Sequence, residues 1–229
     1  MNSDVLLILI GLAAVTLALG YYTRVELPLL EDERMRQSMR AFAKAIELRF
    51  PSHAGLSSRV AALSKHVGEE MGLDVWKLHE LEMAAWLRDI GLCAISYQLV
   101  NKKPNYAWTD ADNATYARHP EVSAAMLELA PALRRLAPIV RCHHANFDGS
   151  SGPYFPHGRD LPIESRILKV ISDYVWFERR QGQVLAREHL RDGAGRAYDP
   201  DVIGAFVGVL SSPLAVVEVE PEVNVAERA

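Results

Sequence analysis

The sequence has few cysteines, no excess of positive charge and little strand-like alternation. Among its 229 residues only Cys93 and Cys142 are cysteines, which excludes a small disulfide-held scaffold and favours a reducing compartment. The formal net charge is −4, so we expect no binding to a nucleic-acid polymer. Hydrophobic residues make up 49% of the chain and charged residues 24%, which is the composition of a folded protein.

An uncharged apolar run opens the chain. Residues 5–22 carry no charge, and a helix of that length rises about 27 Å, enough to span the hydrocarbon core of a bilayer. Arginines follow the run and none precedes it. We therefore predict a single-pass anchor over residues 1–24 in the inner (cytoplasmic) membrane, with the body in the cytoplasm. A cleaved signal peptide and a buried core helix are the alternatives.

Apolar residues recur at helical spacing through the rest of the chain, which predicts an all-α fold. The predicted helices cover residues 31–48, 57–71, 75–87, 110–118, 121–129, 132–144, 163–177 and 201–210. A linker helix over 25–40, a helical domain over 41–210 and a solvated acidic tail over 211–229 complete the predicted organisation. Residues 146–162 hold three glycines and three prolines and are predicted to form an irregular loop, a kind of segment that often carries function.

Two adjacent histidines, His143 and His144, stand directly before that loop. Successive side chains on a helix diverge by about 100°, so both can reach one metal ion only at a helix end. The alternative from the residues alone is that one histidine caps the helix and the other faces solvent.

The order of several segments resembles the HD-GYP domain, a helical branch of the HD phosphohydrolase superfamily. The resemblance spans residues 41–206 and is carried by AAWLRDIGL, HHANFDGSSGP, LPIESRILKVISD and GRAYDPDVIGAF. It implies an HD-type helical fold, divalent metal ions and a phosphoester ligand, because active members hydrolyse the bacterial second messenger cyclic di-GMP at a two- or three-metal site. The positions that match the family's metal ligands are Asp89, His119, His143, His144, Asp173 and Glu47.

The chain departs from the family pattern at the catalytic positions. Leu56 stands where the family has a histidine, Arg88 replaces the histidine of the His-Asp doublet, and Leu92 replaces the lysine that follows it. The signature Gly-Tyr-Pro reads Ser-Gly-Pro at residues 151–153. Leucine offers no lone pair and arginine is a fixed cation, so we expect one metal subsite to be lost.

The remaining donors are predicted to hold one divalent ion. Asp89 with His119, His143 and His144 forms a three-histidine, one-carboxylate set, which suits iron, manganese or zinc.

Arg88 has two candidate roles beside that set. It either holds a ligand phosphate in place of the missing ion or forms an ion pair with Asp89 and Asp173. We favour the ion pair, because two carboxylates would otherwise share a buried site without compensation. His53, one turn before Leu56, either replaces the lost histidine or is a solvent-exposed turn residue.

Four further residues are predicted to contact a ligand. Arg141 and Arg166 lie near the motifs and suit a phosphate, whereas Phe147 and Tyr154 lie on the loop and suit a purine.

The sequence therefore predicts a catalytically impaired binding or signalling module that binds a nucleotide, a protein partner or a second copy of itself. One alternative is an active metal-dependent phosphodiesterase with Asp89 and Arg88 as catalytic residues. The other is a structural membrane scaffold whose pocket is folded around an ion pair.

Overall fold

The computed structural model describes residues 2–103 and 107–211. The chain divides into two compact units, Met1–Met39 and Arg40–Ala229. No strand forms within the described ranges, where an isolated bridge joins Ala194 and Tyr198. The all-α prediction is confirmed.

The described helices are α1 (Ser3–Tyr21), α2 (Leu27–Arg49), α3 (Leu56–Glu70), α4 (Val75–Leu87), α5 (Tyr97–Lys102), α6 (Asp110–Tyr116), α7 (His119–Glu128), α8 (Ala137–Arg141), α9 (Ile163–Gln181), α10 (Gln183–Asp192) and α11 (Pro200–Ser211). Most of them follow one another through short connections, and a longer irregular segment separates α8 from α9. A π-helical segment, Tyr22–Glu26, follows α1, and 3-10 turns form at Pro51–His53, Ile90–Ala94, Arg134–Leu136 and Gly158–Asp160.

Helix α1 exposes the uncharged run. No residue of α1 is buried, and its most apolar window has a mean hydropathy of 2.3. By length and composition the helix can cross a membrane, a property that a signal sequence shares. A buried core helix is excluded, because the apolar side chains of α1 are exposed.

The core of the second unit lies where α3, α4 and α9 pack together. Helix α3 forms because Leu56, Val60, Leu63 and Val67 repeat at helical spacing, and all four are buried. Helix α4 starts at Asp74, whose carboxylate accepts a hydrogen bond from the Lys77 N–H at 2.9 Å.

The C-terminal end of α9 is tied to the segment that leads into α3. Arg179 Nη1 donates to the Ala54 carbonyl at 2.5 Å, and Arg59 pairs with Glu178 at 2.5 Å. These contacts hold the turn that carries His53 against α9.

The structure differs from the prediction in three elements. The predicted helix 132–144 is a 3-10 turn followed by α8, and it ends early because Cys142 leaves helical geometry at φ −96° and ψ 3°. Helix α10 was not predicted, because it buries only Ala186 and Leu190. Helix α5 was not predicted, because its six residues are too few to show a period. The 146–162 loop is irregular as predicted. The predicted acidic tail lies outside the described residues beyond Ser211, which ends α11.

Gly91 allows the segment after Asp89 to approach α7 closely. Its N–H donates to Ser123 Oγ at 2.8 Å, and that hydroxyl donates to the Arg88 carbonyl at 2.8 Å. A Cβ at Gly91 would lie 2.2 Å from the His119 carbonyl oxygen and 2.6 Å from the Ser123 nitrogen. Both are backbone atoms, which cannot rotate away.

We expect Gly91→Ala to lower the free energy of unfolding by about 3 kcal/mol, because the clash must move α7 or the Asp89 segment. Urea denaturation measures the change. Gly204→Ala is the matched control, since no atom lies within 4 Å of the added Cβ on α11 and alanine is favoured there by about 0.5–1 kcal/mol. Equal stability of Gly91→Ala and the unaltered chain would show that the close approach is not required.

Candidate metal centre and cavity

Three histidines meet where α7 begins and α8 ends. His119 is the first residue of α7, and His143 and His144 follow α8. One ring nitrogen from each lies within 4.8 Å of the others, which makes them a group that can hold a metal ion. Both histidines of the adjacent pair face this cluster because they lie beyond the helix end, so the solvent-facing alternative is wrong.

Hydrogen bonds orient two of the rings. His119 Nδ1 is 2.8 Å from the Tyr116 carbonyl, and His143 Nδ1 is 2.6 Å from the Val140 carbonyl. Carbonyl oxygens only accept, so Nδ1 carries the proton and Nε2 keeps its lone pair. Both Nε2 atoms are buried without a hydrogen-bond partner, which is the arrangement expected of metal-ligating imidazoles.

Asp89 completes the donor set. Its Oδ1 lies 3.5 Å from His119 Nε2 and 3.8 Å from His143 Nε2. Three imidazoles and one carboxylate suit zinc, iron or manganese. The orphaned Nε2 atoms beside an ionised carboxylate therefore fit a divalent ion.

The protonation states also suit a cation. Burial lowers the pKa of His143 to about 3 and holds the pKa of His144 well below its usual range. Burial alone would raise the pKa of Asp89, but the charge of Arg88 and the contact with His119 hold it well below its usual range. Neutral imidazoles and an ionised carboxylate are the forms that bind metals.

The stability of the metal-free protein should therefore fall in acid. The pKa of His143 is about 3 in the fold against 6.5 ordinarily, so the unfolded state binds more protons between these values. The free energy of unfolding is expected to decrease as the pH is lowered through this window, by about 1 kcal/mol per pH unit for this group.

Urea denaturation of chelator-treated protein at pH 7, 6 and 5 measures this dependence. His143→Gln should flatten the profile, and His66→Gln, at an exposed position, should leave it unchanged. A His143→Gln profile as steep as that of the unaltered chain would contradict the assignment.

Arg88 forms the predicted ion pair with Asp89. Its side chain is 4% exposed, and Nη2 lies 2.9 Å from Asp89 Oδ2. Nη1 donates to the Ala85 carbonyl at 2.6 Å. Asp173 is paired elsewhere, because its Oδ2 lies 2.9 Å from Lys169 Nζ and accepts from the Tyr198 hydroxyl at 2.9 Å. The interpretation that Arg88 pairs with both carboxylates is thus corrected to Asp89 alone.

A cavity of about 170 Å³ opens beside the histidines. Leu56 and Arg88, two of the departures from the family pattern, line it together with Asp89, His144 and Asp173. The two positions that have lost a metal-ligating side chain therefore line the same cavity as these three donors.

His53 also lines this cavity. It is 6% exposed, its ring centroid lies 5.5 Å from that of Trp176, and burial lowers its pKa. The alternative of a solvent-exposed turn residue is wrong, because the 3-10 turn Pro51–His53 directs the ring inward.

Glu47, on α2, is buried beside the N-terminus of α3 and does not line the cavity. Its Oε1 accepts from the Ser57 N–H at 3.0 Å, and its Oε2 lies 3.5 Å from Lys44 Nζ. The carboxylate thus caps α3 in this structure, a role distinct from the predicted metal ligation.

The four predicted ligand-binding residues do not line this cavity. Arg141 contacts Glu121 at 2.8 Å and Glu128 at 2.9 Å. Arg166 contacts the buried Asp199 at 2.6 Å. Phe147 is partly buried in the loop, and Tyr154 is 97% exposed. Carboxylate partners hold Arg141 and Arg166, and the course of the loop places Phe147 and Tyr154. Proximity to the histidines in the sequence reveals neither.

Sequence reasoning missed Trp176 and Arg180, which line the cavity. The signal was present in their spacing, because residues 173, 176 and 180 share one face of α9.

Comparisons with known proteins agree with this geometry. A profile of the HD domain family matches residues 40–202. The chain is 29% identical over 184 residues to the cyclic di-GMP phosphodiesterase response regulator RpfG of Xanthomonas campestris, covering 77% of this chain and 48% of that protein. It is 27% identical over 159 residues to a cyclic di-GMP phosphodiesterase of Thermotoga maritima, covering 66% and 43%. The chain thus spans less than half the length of these curated relatives.

A solved structure shares the fold. The crystal structure of a cyclic GMP-AMP specific phosphodiesterase of Vibrio cholerae superposes with a TM-score of 0.59 at 15% identity, covering 80% of this chain and 52% of that one.

Proposed function

We propose a function from the premise that this chain belongs to the HD domain family and to its HD-GYP type. The chain is a membrane-anchored, catalytically impaired module that binds a phosphoester ligand of the cyclic dinucleotide class. The relatives whose names include such ligands motivate the ligand class. Signalling then depends on occupancy of the cavity and not on turnover.

The observation that carries this proposal is the Arg88–Asp89 ion pair in the cavity wall. Hydrolysis by paired metals uses one ion to generate hydroxide and both ions to stabilise the developing charge. Here Leu56 supplies no ligand, and the guanidinium 2.9 Å from Asp89 repels a second cation. The chain therefore retains one metal subsite of the two.

The retained residues have definable roles. Asp89, His119, His143 and His144 would hold the ion, which supplies a Lewis acid for a phosphoryl oxygen when bound. Arg88, beside Asp89, supplies a fixed positive charge toward a ligand phosphate. Asp173 lines the cavity and contacts Lys169 and Tyr198.

Helix α1 supports the anchoring part of the proposal. None of its 19 residues is buried, the helix is strongly apolar, and the arginines lie after it in the sequence. We assign the helix as a single-pass anchor of the inner membrane that leaves the HD unit in the cytoplasm. A second copy of the chain or another protein is the partner through which occupancy is transmitted.

Restoring the lost donors tests the impairment. We expect the full chain with Mn²⁺ to bind cyclic di-GMP without hydrolysing it. Leu56→His combined with Arg88→His and Leu92→Lys should raise hydrolysis about tenfold or more, because a second ion can then bind. Chromatography of the products measures turnover, and adding Asp89→Asn to the triple variant should abolish the gain. Rapid hydrolysis by the unaltered chain would overturn the impairment.

A second candidate function is one-metal phosphodiester hydrolysis with Arg88 in place of the missing ion. The oriented histidines favour it, because His119 and His143 already direct unpartnered Nε2 atoms at Asp89. Under this alternative the unaltered chain hydrolyses cyclic di-GMP, and Arg88→Met abolishes the activity while the metal remains bound.

A further inference from the structure

The outer wall of the cavity is aromatic, a feature that the metal centre does not use. Trp108 and Tyr116 pack with ring centroids 5.1 Å apart, and Trp176 lies with its centroid 5.5 Å from that of His53. All four rings line the same cavity. Nucleobases stack on such rings with little dependence on which base it is.

A cation already lies on this wall. The Arg180 guanidinium carbon lies 3.2 Å from the Trp176 ring centroid. Burial lowers the pKa of Arg180 and Tyr116 partly counters the effect, as expected of two groups that face one cavity. The guanidinium covers one face of the Trp176 indole, so a base would stack on the other face or take the place of Arg180, whose charge suits a phosphate.

Polar groups line the same cavity. The buried Arg88 faces it, and Ser172 Oγ is buried there without a hydrogen-bond partner. A purely apolar ligand would leave the Ser172 hydroxyl unpaired, whereas the heteroatoms of a base or the oxygens of a phosphate can pair with it.

The size of the cavity limits the ligand. About 170 Å³ is close to the cavity volume that admits a single aromatic molecule. A single nucleobase therefore matches the cavity better than two.

We infer that Trp108, Tyr116 and Trp176 form a stacking site for one nucleobase of a phosphorylated ligand, with Arg180 pairing with its phosphate. This inference rests on the proposed function and adds the residues that determine which ligand the cavity binds. A cyclic dinucleotide would place one base in the cavity and leave the other outside.

Two probes that differ by a base test the inference. GMP and ribose 5-phosphate carry the same sugar phosphate, and only GMP carries a ring that stacks. Isothermal titration of the full chain in detergent micelles with bound Mn²⁺ should give at least about tenfold tighter binding of GMP. Trp176→Leu should reduce the ratio of the two dissociation constants to below about twofold.

Matched variants separate stacking from folding. Trp76→Leu removes an indole that is 79% exposed and lies outside the cavity, so the ratio should stay unchanged. Trp176→Phe keeps a ring and should keep most of the ratio even where Trp176→Leu does not fold. Arg180→Gln, at an exposed position, should weaken the binding of both probes alike, by about fivefold or more.

The outcomes separate the inference from the proposed function. Equal affinities of the unaltered chain for GMP and ribose 5-phosphate would overturn the stacking site and leave phosphate binding standing. A folded Trp176→Leu protein with an unchanged ratio would overturn the role of Trp176. Failure of both probes to bind would overturn the proposed function together with the inference.

Discussion

Replacing Arg88 by methionine should lower the free energy of unfolding of the metal-free protein by about 3–5 kcal/mol, because it leaves the Asp89 carboxylate buried and unpaired. The two side chains are 4% and 16% exposed and lie 2.9 Å apart, so solvent screens the lost charge only weakly. The Ala85 carbonyl also loses its donor. Urea denaturation at pH 7 after chelator treatment measures the loss.

Two controls make this result specific. Arg159→Met breaks an ion pair with Asp201 in which the arginine is 81% exposed, and it should change stability little. Mn²⁺ should stabilise Arg88→Met more than the unaltered chain, because the ion then supplies the charge that Asp89 lacks. If Arg88→Met is as stable as Arg159→Met, the ion pair does not hold the pocket together.

Alanine at His119 or His144 should reduce the metal content of the purified full chain from about one ion to nearly none. Each substitution removes one of four donors. In metal sites generally, even the loss of a residue outside the first coordination sphere lowers the metal affinity by about 10–100-fold. Elemental analysis of protein purified without chelator measures the content. His66→Ala, at an exposed histidine outside the cluster, should keep the ion.

The metal content of the unaltered chain is informative in itself. Two or more ions per chain would contradict the conclusion that Leu56 and Arg88 remove a subsite. No ion at all would refute the three-histidine centre and leave the cavity as a metal-free binding site.

Helical periodicity predicted most of the fold because the buried faces are regular. Val60, Leu63 and Val67 repeat at intervals that only a helix brings to one side. Periodicity failed before the paired histidines, where a backbone change at Cys142 ends α8. A local departure of this kind depends on packing against other segments and leaves no mark in the hydrophobic pattern.

The site was predictable where a motif identified it. The histidine cluster and the Arg88–Asp89 pair follow from the aligned segments, whereas the aromatic wall does not, because Trp108 and Trp176 come from segments far apart in the sequence. Arg141 shows the opposite error. It is near the histidines in sequence, but Glu121 and Glu128 hold its side chain, and only the folded structure reveals carboxylates on another helix.

The tie between Arg179 and the Ala54 carbonyl also sets an order of events during synthesis. The two residues are 125 positions apart, and translation proceeds at roughly 5–20 residues per second. The ribosome therefore needs roughly 6–25 s after making Ala54 before Arg179 exists. Until then the turn carrying His53 has no α9 to pack against, so this cavity wall can form only after most of the chain has been synthesised.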